Sequence, residues 1–116
     1  MNDPLIELRD RLREFTRERE WHRYHTPKNL AMALIVEAAE LAEQFQWLTP
    51  EESGALPPEK HARVRDELAD VLVYLIELAD VLEVDLAAAA RDKIARNAIK
   101  YPVEKARGNA LKYDEF

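Results

Sequence analysis

Apolar residues recur every three or four positions along most of the chain, which is the periodicity of amphipathic α-helices. Four segments carry this pattern for long enough to form main helices, and no segment has the alternation expected of a strand. Their expected ranges are about 4–22, 28–48, 59–82 and 86–100. The pattern therefore predicts an all-α fold, a four-helix bundle-like domain.

Residues that favour helix ends support these ranges. Thr26, which precedes a proline, is suited to cap the second helix, and Asp85 is suited to cap the fourth. Segment 49–52, Thr-Pro-Glu-Glu, has the form of a capping box and predicts a short helical turn. We expect residues 1–116 to form a single domain, in which segment 103–116 is a tail or an arm onto a neighbouring subunit.

Four acidic residues stand on or beside the apolar faces of the second and third helices. Glu37 and Glu40 are three residues apart, as are Glu67 and Asp70, so each pair shares one helix face. A carboxylate that faces a core is costly unless a cation meets it, and hard divalent cations prefer oxygen ligands. Acidic pairs at this spacing also arise by chance, about four or five times in a chain this acidic. The residues alone leave two interpretations open, a Mg²⁺ site or the charges of solvated faces.

The composition excludes several classes of function. The chain has two glycines and no cysteine, which argues against glycine-rich phosphate loops, disulfides and zinc–thiolate sites. Its net charge of −6 disfavours nucleic acid, because phosphate binding depends on Lys and Arg. No apolar run approaches the length of a membrane span, and the charged N-terminal segment is unlike a signal peptide. We expect a cytoplasmic protein with no membrane or nucleic-acid partner.

The acidic pairs and the segments around them resemble one known family. Between the motifs E-x-x-E and E-x-x-D lie 26 residues, a form similar to that of the MazG-like, all-α nucleoside triphosphate pyrophosphohydrolases. The likeness to their dCTP pyrophosphatase branch extends in order along nearly the whole chain. It is carried by HTPKNL at 25–30, FQW at 45–47, DELADVLVYL at 66–75 and KIARNAIKYP at 93–102.

The resemblance implies an activity and a cofactor. It implies hydrolysis of a (deoxy)nucleoside triphosphate, with dCTP or a modified dCTP as the first substrate to test, to the monophosphate and pyrophosphate. Mg²⁺ would be the cofactor, with Mn²⁺ as a substitute, and its ligands would be Glu37, Glu40, Glu67 and Asp70. The catalytic carboxylates would be Glu37 and Glu40, with Glu40 orienting the metal-activated water that attacks the α-phosphorus.

The resemblance also implies the substrate-binding residues. Side chains that contact the phosphates would come from the last helix and the segment after it: Lys93, Asn97, Lys100, Tyr101, Lys112 and Tyr113. Aromatic and imidazole groups would surround the base: Trp21, His25, Trp47 and Tyr74. Without the resemblance, a solvated face is the favoured interpretation of the basic residues, and a core position is the commoner one for aromatic residues at helical spacing.

Two residues depart from the family pattern near the expected base pocket. Leu12 stands where some relatives have a polar residue, and Glu77 is an additional acid one helical turn beyond Tyr74. Both leave the preferred base open, while the expected metal chemistry is unchanged.

The resemblance implies a homotetramer, built as a dimer of dimers, whose neighbouring chains complete each active site. The alternative from another class of function is a non-catalytic helical scaffold or partner-binding module. A di-iron carboxylate protein is disfavoured because it needs Glu-x-x-His pairs, and no histidine here follows a glutamate at that spacing.

Overall fold

The computed structural model describes residues 3–116, and within that range the chain forms helices and no strand. Two short 3₁₀ turns, His22–Tyr24 and Tyr113–Glu115, accompany the α-helices. In chain order the α-helices are α1 Pro4–Glu18, α2 Pro27–Glu43, α3 Pro50–Ser53, α4 Pro58–Val81, α5 Leu86–Lys100 and α6 Val103–Ala106. The predicted all-α class is confirmed. No helix of the described range has both the length and the apolar character needed to cross a membrane.

Side-chain caps begin the helices where the sequence predicts them. The hydroxyl of Thr26 accepts a hydrogen bond from the backbone N–H of Asn29 at 3.2 Å, and a carboxylate oxygen of Asp85 accepts one from Ala88 at 3.0 Å. In the capping box, Thr49 accepts from the N–H of Glu52 at 3.1 Å, and the Glu52 carboxylate accepts from the N–H of Thr49 at 2.9 Å. These bonds satisfy backbone donors that have no partner inside the helix.

The first helix ends earlier than the sequence predicts, at Glu18 instead of residue 22. Glu20 adopts the left-handed conformation with φ of 53°, and its N–H donates to the carbonyl of Arg17 at 3.1 Å. The N–H of Trp21 reaches back to the carbonyl of Thr16, also at 3.1 Å. This pair of bonds is a Schellman motif, which usually has glycine at the left-handed position. The sequence gives no glycine signal there, so the prediction was wrong by one helical turn.

The second helix is also shorter than predicted and ends at Glu43 instead of residue 48. The following segment continues as tight turns, in which Phe45 donates to Ala42 at 3.0 Å and Leu48 donates to Phe45 at 2.9 Å. Hydrogen bonds of this kind, from the N–H of one residue to the carbonyl three residues earlier, are common where a helix ends. The apolar spacing that suggested a longer helix therefore continues through a segment that is no longer α-helical.

Helix α4 is the packing centre of the N-terminal unit, which extends to Val84, because both α1 and α2 pack against it. The most buried apolar side chains lie on α2 and α4: Leu30, Val64, Ile76 and Ala79. Packing α2 on α4 brings the two acidic motifs of the sequence onto one interface.

The second compact unit is Asp85–Phe116. Tyr101, which caps the end of α5, packs edge-on against Tyr113 with ring centroids 6.1 Å apart and against Phe116 at 5.9 Å. The segment after residue 102 thus folds back onto the end of α5. Its expected contact with a neighbouring subunit stays a prediction, as does the single-domain organisation.

An ion pair joins α1 to α4. The guanidinium of Arg13 donates from Nε to Oδ2 of Asp80 at 2.9 Å and from Nη2 to Oδ1 at 2.6 Å. This is the two-pronged geometry in which arginine and a carboxylate bind most strongly. The Arg13 guanidinium holds the pKa of Asp80 below its usual range, chiefly through this hydrogen bond.

We expect the Asp80→Asn substitution to lower the free energy of unfolding by about 1 kcal/mol, the upper range for a partly exposed pair. Because folding lowers the pKa of Asp80, this stabilisation is present above the usual aspartate pKa of about 4 and is lost as the pH falls below it. Urea unfolding of Arg13→Gln, Asp80→Asn and the double variant at pH 7 measures the coupling.

The local pair of Arg96 and Asp92 on α5, with nitrogen and oxygen 3.0 Å apart, is the matched control. We expect its coupling to be only about 0.3–0.5 kcal/mol, as for other exposed pairs one turn apart. A coupling between Arg13 and Asp80 no larger than that control would contradict a role for their pair in joining the helices.

Candidate metal and nucleotide site

Three carboxylates converge at the interface of α2 and α4. Glu37 extends from α2, and Glu67 and Asp70 extend from successive turns of α4. One oxygen from each lies within 4.8 Å of those of the other two. Oxygen ligands at such spacing, contributed by two rigid helices, suit a hard divalent cation.

Two oxygens of this cluster have no hydrogen-bond partner within residues 3–116. They are Oε2 of Glu37 and Oε2 of Glu67, and both are buried. A buried polar atom without a partner costs free energy, and more so when the group is charged. The orphaned oxygens therefore fit the binding of a cation, which would supply the missing interaction.

The pKa values of the cluster follow from the same crowding. Burial, followed by the hydrogen bond and charge of Glu40 and the charges of Asp70 and Glu67, raises the pKa of Glu37 to about 7. Burial, followed by the charge of Glu40, also raises the pKa of Glu67. Every charged group that shifts the pKa of Glu37 is itself acidic. The cluster therefore holds more negative charge than its protein surroundings compensate.

Glu40 lies next to the converging oxygens but is not among them. It is one turn after Glu37 on α2, and it contacts the cluster closely enough to raise the pKa of both Glu37 and Glu67. The structure thus brings together three of the four expected metal ligands and places the fourth at their edge.

One face of α4 extends from this cluster towards a pocket. Asp70, Tyr74 and Glu77 are spaced by four and then three residues, so they lie along one side of the helix. Tyr74 is half-buried, and burial, followed by the charges of Glu77, Glu37 and Asp70, raises its pKa. Tyr74 therefore lies between the acidic cluster and Glu77.

The pocket lies between α1, α4 and the turn that follows α1, and its volume is about 230 Å³. Its apolar wall consists of Leu12, Leu30, Ile76 and Val81. Polar, charged and imidazole groups complete its lining: Arg9, Arg13, Thr16, Arg17, His22, His25, Glu77 and Asp80. Burial raises the pKa of Glu77, and the charge of His25 opposes that rise.

The expected aromatic residues differ in their surroundings. Trp21 packs edge-on against Phe15 at 5.7 Å and against His25, which lines the pocket, at 6.3 Å between ring centroids. Trp21 remains 44% exposed, and Trp47 is 86% exposed. The interpretation of Trp47 as a core residue is therefore wrong for the single chain, and its ring is available to a ligand or to another chain.

The expected phosphate-binding residues lie in the second unit. Lys93, Asn97 and Lys100 are exposed and share one face of α5. The Nζ of Lys100 lies 4.8 Å from the ring centroid of Tyr113, which in turn packs against Tyr101. Lys112 directly precedes the 3₁₀ turn that contains Tyr113.

Known proteins that are similar to this chain identify its family. The model of the MazG-like family matches residues 32–116, which include all four acidic residues and the whole second unit. The chain belongs to the MazG-like family. A pyrophosphatase of known crystal structure from Archaeoglobus fulgidus is 43% identical to it, with a TM-score of 0.82, over 88% of this chain and 95% of that one.

Curated relatives match almost the entire chain. It is 45% identical to dCTP pyrophosphatase 1 of Mus musculus and 43% identical to that of Homo sapiens, over 98% of this chain and 69% of each relative. The MazG-like membership and the all-helical fold expected from the sequence are thereby confirmed.

The MazG-like sequence pattern did not reveal the basic lining of the pocket. Arg9, Arg13 and Arg17 recur every four residues, a spacing that places them on one side of α1, and all three line the pocket. The amphipathic pattern of α1 does not show which groups its charged residues contact. The spacing of these arginines was the available signal, but Asp80, the partner of Arg13 in the pocket, lies 67 residues further along the chain.

We expect this MazG-like chain, freed of divalent cations, to lose stability as the pH rises from 5 to 8. Folding raises the pKa of Glu37 from 4.5 to about 7. The stabilisation that comes from its protonated carboxyl group is therefore complete below the pKa of the unfolded chain and is lost as the pH rises through the pKa of the folded chain. Glu37→Gln has no carboxyl proton to lose at this position, so its stability should decline less as the pH rises. Urea unfolding midpoints in the presence of a chelator measure the difference.

The matched control for this comparison is Glu43→Gln, an exposed position on the last turn of the same helix. It should keep the decline of the wild type. An equal decline in Glu37→Gln and the wild type would contradict the view that crowding of acids at Glu37 controls the stability of the metal-free chain.

Proposed function

We propose that this chain hydrolyses a deoxynucleoside triphosphate, with dCTP or a modified dCTP as the first candidate, to the monophosphate and pyrophosphate in a Mg²⁺-dependent reaction. This proposal rests chiefly on the cluster of Glu37, Glu67 and Asp70, in which a buried oxygen of Glu37 and another of Glu67 lack partners. Its setting supports the assignment, because relatives named dCTP pyrophosphatase 1 are 43–45% identical over nearly the whole chain. Such an activity would remove or limit particular nucleotides in the cellular pool.

The donor set suits Mg²⁺, with Mn²⁺ as a substitute. Glu37, Glu67 and Asp70 would hold the cation, and Glu40 would join them from the edge of the cluster. When bound, Mg²⁺ supplies neutralisation of phosphate charge and lowers the pKa of water. Because the pKa of Glu37 is raised to about 7, binding of a cation to the cluster would favour release of a proton from it near neutral pH.

We assign to Glu40 the orientation of the attacking water. Its carboxylate is close to Glu37 and Glu67 but is not one of the three converging groups, so it has an oxygen to spare for the nucleophile. A carboxylate in that position can accept the proton of a water molecule as it attacks the α-phosphorus. No covalent intermediate is needed, since water is the nucleophile.

The second unit supplies the cations and donors for the phosphates. Lys93, Asn97 and Lys100 share one exposed face of α5, so they can bind one phosphate chain together. Tyr101, Lys112 and Tyr113 stand close to the end of that face, where Lys100 contacts Tyr113.

The base would be held by aromatic and imidazole groups of the first unit. Trp21 and His25 are in contact, and Tyr74 lies on the face of α4 that joins the acidic cluster to the pocket. Trp47 is almost fully exposed and would stack on the base of its own or a neighbouring chain.

We also propose that the chain works as a homotetramer in the cytoplasm, without a nucleic-acid partner. Large apolar side chains on α2 remain uncovered in the single chain, with Ile35 68% and Met32 61% exposed. Uncovered apolar surface of this kind is typical of an interface between chains. The net charge of −6 disfavours binding to nucleic acid.

We expect the wild type to release pyrophosphate from at least one deoxynucleoside triphosphate with Mg²⁺, and dCTP to be among the best substrates. Glu37→Gln and Asp70→Asn each remove a carboxylate of the cluster and should lower kcat/KM by about 100-fold or more. A panel of deoxynucleoside and nucleoside triphosphates, with separate measurement of monophosphate and pyrophosphate, tests both statements.

Circular dichroism must show that both variants are folded, and Glu43→Gln should keep full activity as the matched control on α2. A folded wild type that cleaves no triphosphate would favour the alternative of a non-catalytic scaffold. Release of phosphate and a diphosphate would contradict cleavage between the α- and β-phosphorus atoms.

We expect Lys100→Met to raise the KM for the triphosphate by about 10-fold, because a charge-assisted contact to phosphate is lost. The matched control is Lys105→Met, an exposed lysine on α6. Steady-state kinetics with the preferred triphosphate measures both. Equal KM values for the two variants would contradict the assignment of the α5 face to phosphate binding.

A further inference from the structure

The pocket beside α1 contains two carboxylates in contrasting situations. Asp80 is neutralised by the two-pronged contact with Arg13. Glu77, one turn earlier on α4, belongs to none of the ion pairs within residues 3–116. Glu77 is only partly exposed, so water does not surround its carboxylate fully. Within residues 3–116 the Glu77 carboxylate thus has no ion pair or side-chain hydrogen bond, although the charge of His25 acts on it, and it can still accept a hydrogen bond from a ligand.

The size and lining of this pocket match a single ring. At about 230 Å³ it is smaller than the roughly 300–1,000 Å³ typical of sites that enclose a whole drug-sized ligand. Leu12, Leu30 and Ile76 give it an apolar wall against which a flat ring can lie. One part of a larger substrate would fit there, and the remainder would extend outside.

The position of Glu77 relative to the acidic cluster suits a nucleotide. Glu77 follows Asp70 by seven residues, which is two helical turns and about 10 Å along the axis. Tyr74 lies between them on the same face. A nucleotide whose phosphates meet the acidic cluster through a cation would therefore bring its base to the level of Glu77.

We propose that Glu77 selects the base of the substrate by accepting a hydrogen bond from an exocyclic amino group, so that cytosine is preferred over uracil and thymine. An ionised carboxylate only accepts hydrogen bonds, and the amino group at position 4 of cytosine donates one. Uracil and thymine present a carbonyl oxygen at that position, which a carboxylate repels. This inference rests on the proposed function and identifies the residue that determines its specificity.

The substitution of Glu77 by glutamine tests this role with almost no change of shape. The amide of glutamine can donate as well as accept, so Glu77→Gln can bind uracil through its N–H group. We expect the ratio of kcat/KM for dCTP to that for dUTP to fall by about 10-fold or more. Because Glu77 does not contact the reacting atoms, the change should appear in KM, with kcat for dCTP close to that of the wild type.

The matched control is Glu83→Gln, an exposed glutamate just beyond α4 that does not line the pocket. It should keep the wild-type ratio. A wild type that cleaves dCTP and dUTP equally well, or a folded Glu77→Gln that keeps the wild-type ratio, would overturn the role of Glu77 and leave the proposed function intact. A folded wild type that cleaves no triphosphate would overturn both proposals.

A second measurement needs no variant and covers the case in which Glu77→Gln does not fold. The 2-pyrimidinone deoxynucleoside triphosphate has the ring of dCTP without its amino group. The wild type should use it with a KM about 10-fold or more above that for dCTP, because the carboxylate loses its donor. Equal KM values for the two substrates would overturn the role of Glu77.

Discussion

The repulsion among the carboxylates of Glu37, Glu67 and Asp70 is the constraint on which the site depends. Packing of α2 on α4 forces their oxygens to within 4.8 Å, although every charge that shifts the pKa of Glu37 is acidic. Hydrophobic contacts at the interface offset this cost, and Leu30 and Val64 are among its buried side chains. The fold thus holds together a charge arrangement that is unfavourable for the protein alone and that a bound cation would compensate.

Helix α4 sets the distances within the candidate site. Glu67, Asp70, Tyr74 and Glu77 occupy successive turns of it, so their separations follow from the rise of an α-helix and not from the conformation of a loop. Asp80, one turn further, forms the ion pair that joins α1 to the same helix. One rigid element therefore positions two of the candidate metal ligands, a candidate aromatic contact and one side of the pocket, and sites built on helices are more precise than sites built on loops.

Local signals in the sequence predicted the parts of the fold that local physics controls. The caps at Thr26, Thr49 and Asp85 were predicted, because a side-chain oxygen and the start of an apolar pattern lie within a few residues of each other. The pair of Arg13 and Asp80 could not be, since its members are 67 residues apart. The acidic spacing indicated the candidate metal site. Only the packing of α2 on α4 determines that three of the four carboxylates converge and that Glu40 lies at their edge.

The turn at the end of α1 places Trp21 beside both the helix and the lining of the pocket. Glu20 takes a left-handed conformation that a side chain disfavours, by about 1 kcal/mol relative to glycine. The helix stops there nonetheless, where Trp21 closes the turn through its backbone and packs on Phe15. The indole that is proposed to contact the base therefore also packs on Phe15 of α1 and on His25, which lines the pocket. Replacement of Trp21 by a small side chain would therefore remove a packing contact of α1 together with the proposed contact to the base, so this position serves the fold and the pocket at once.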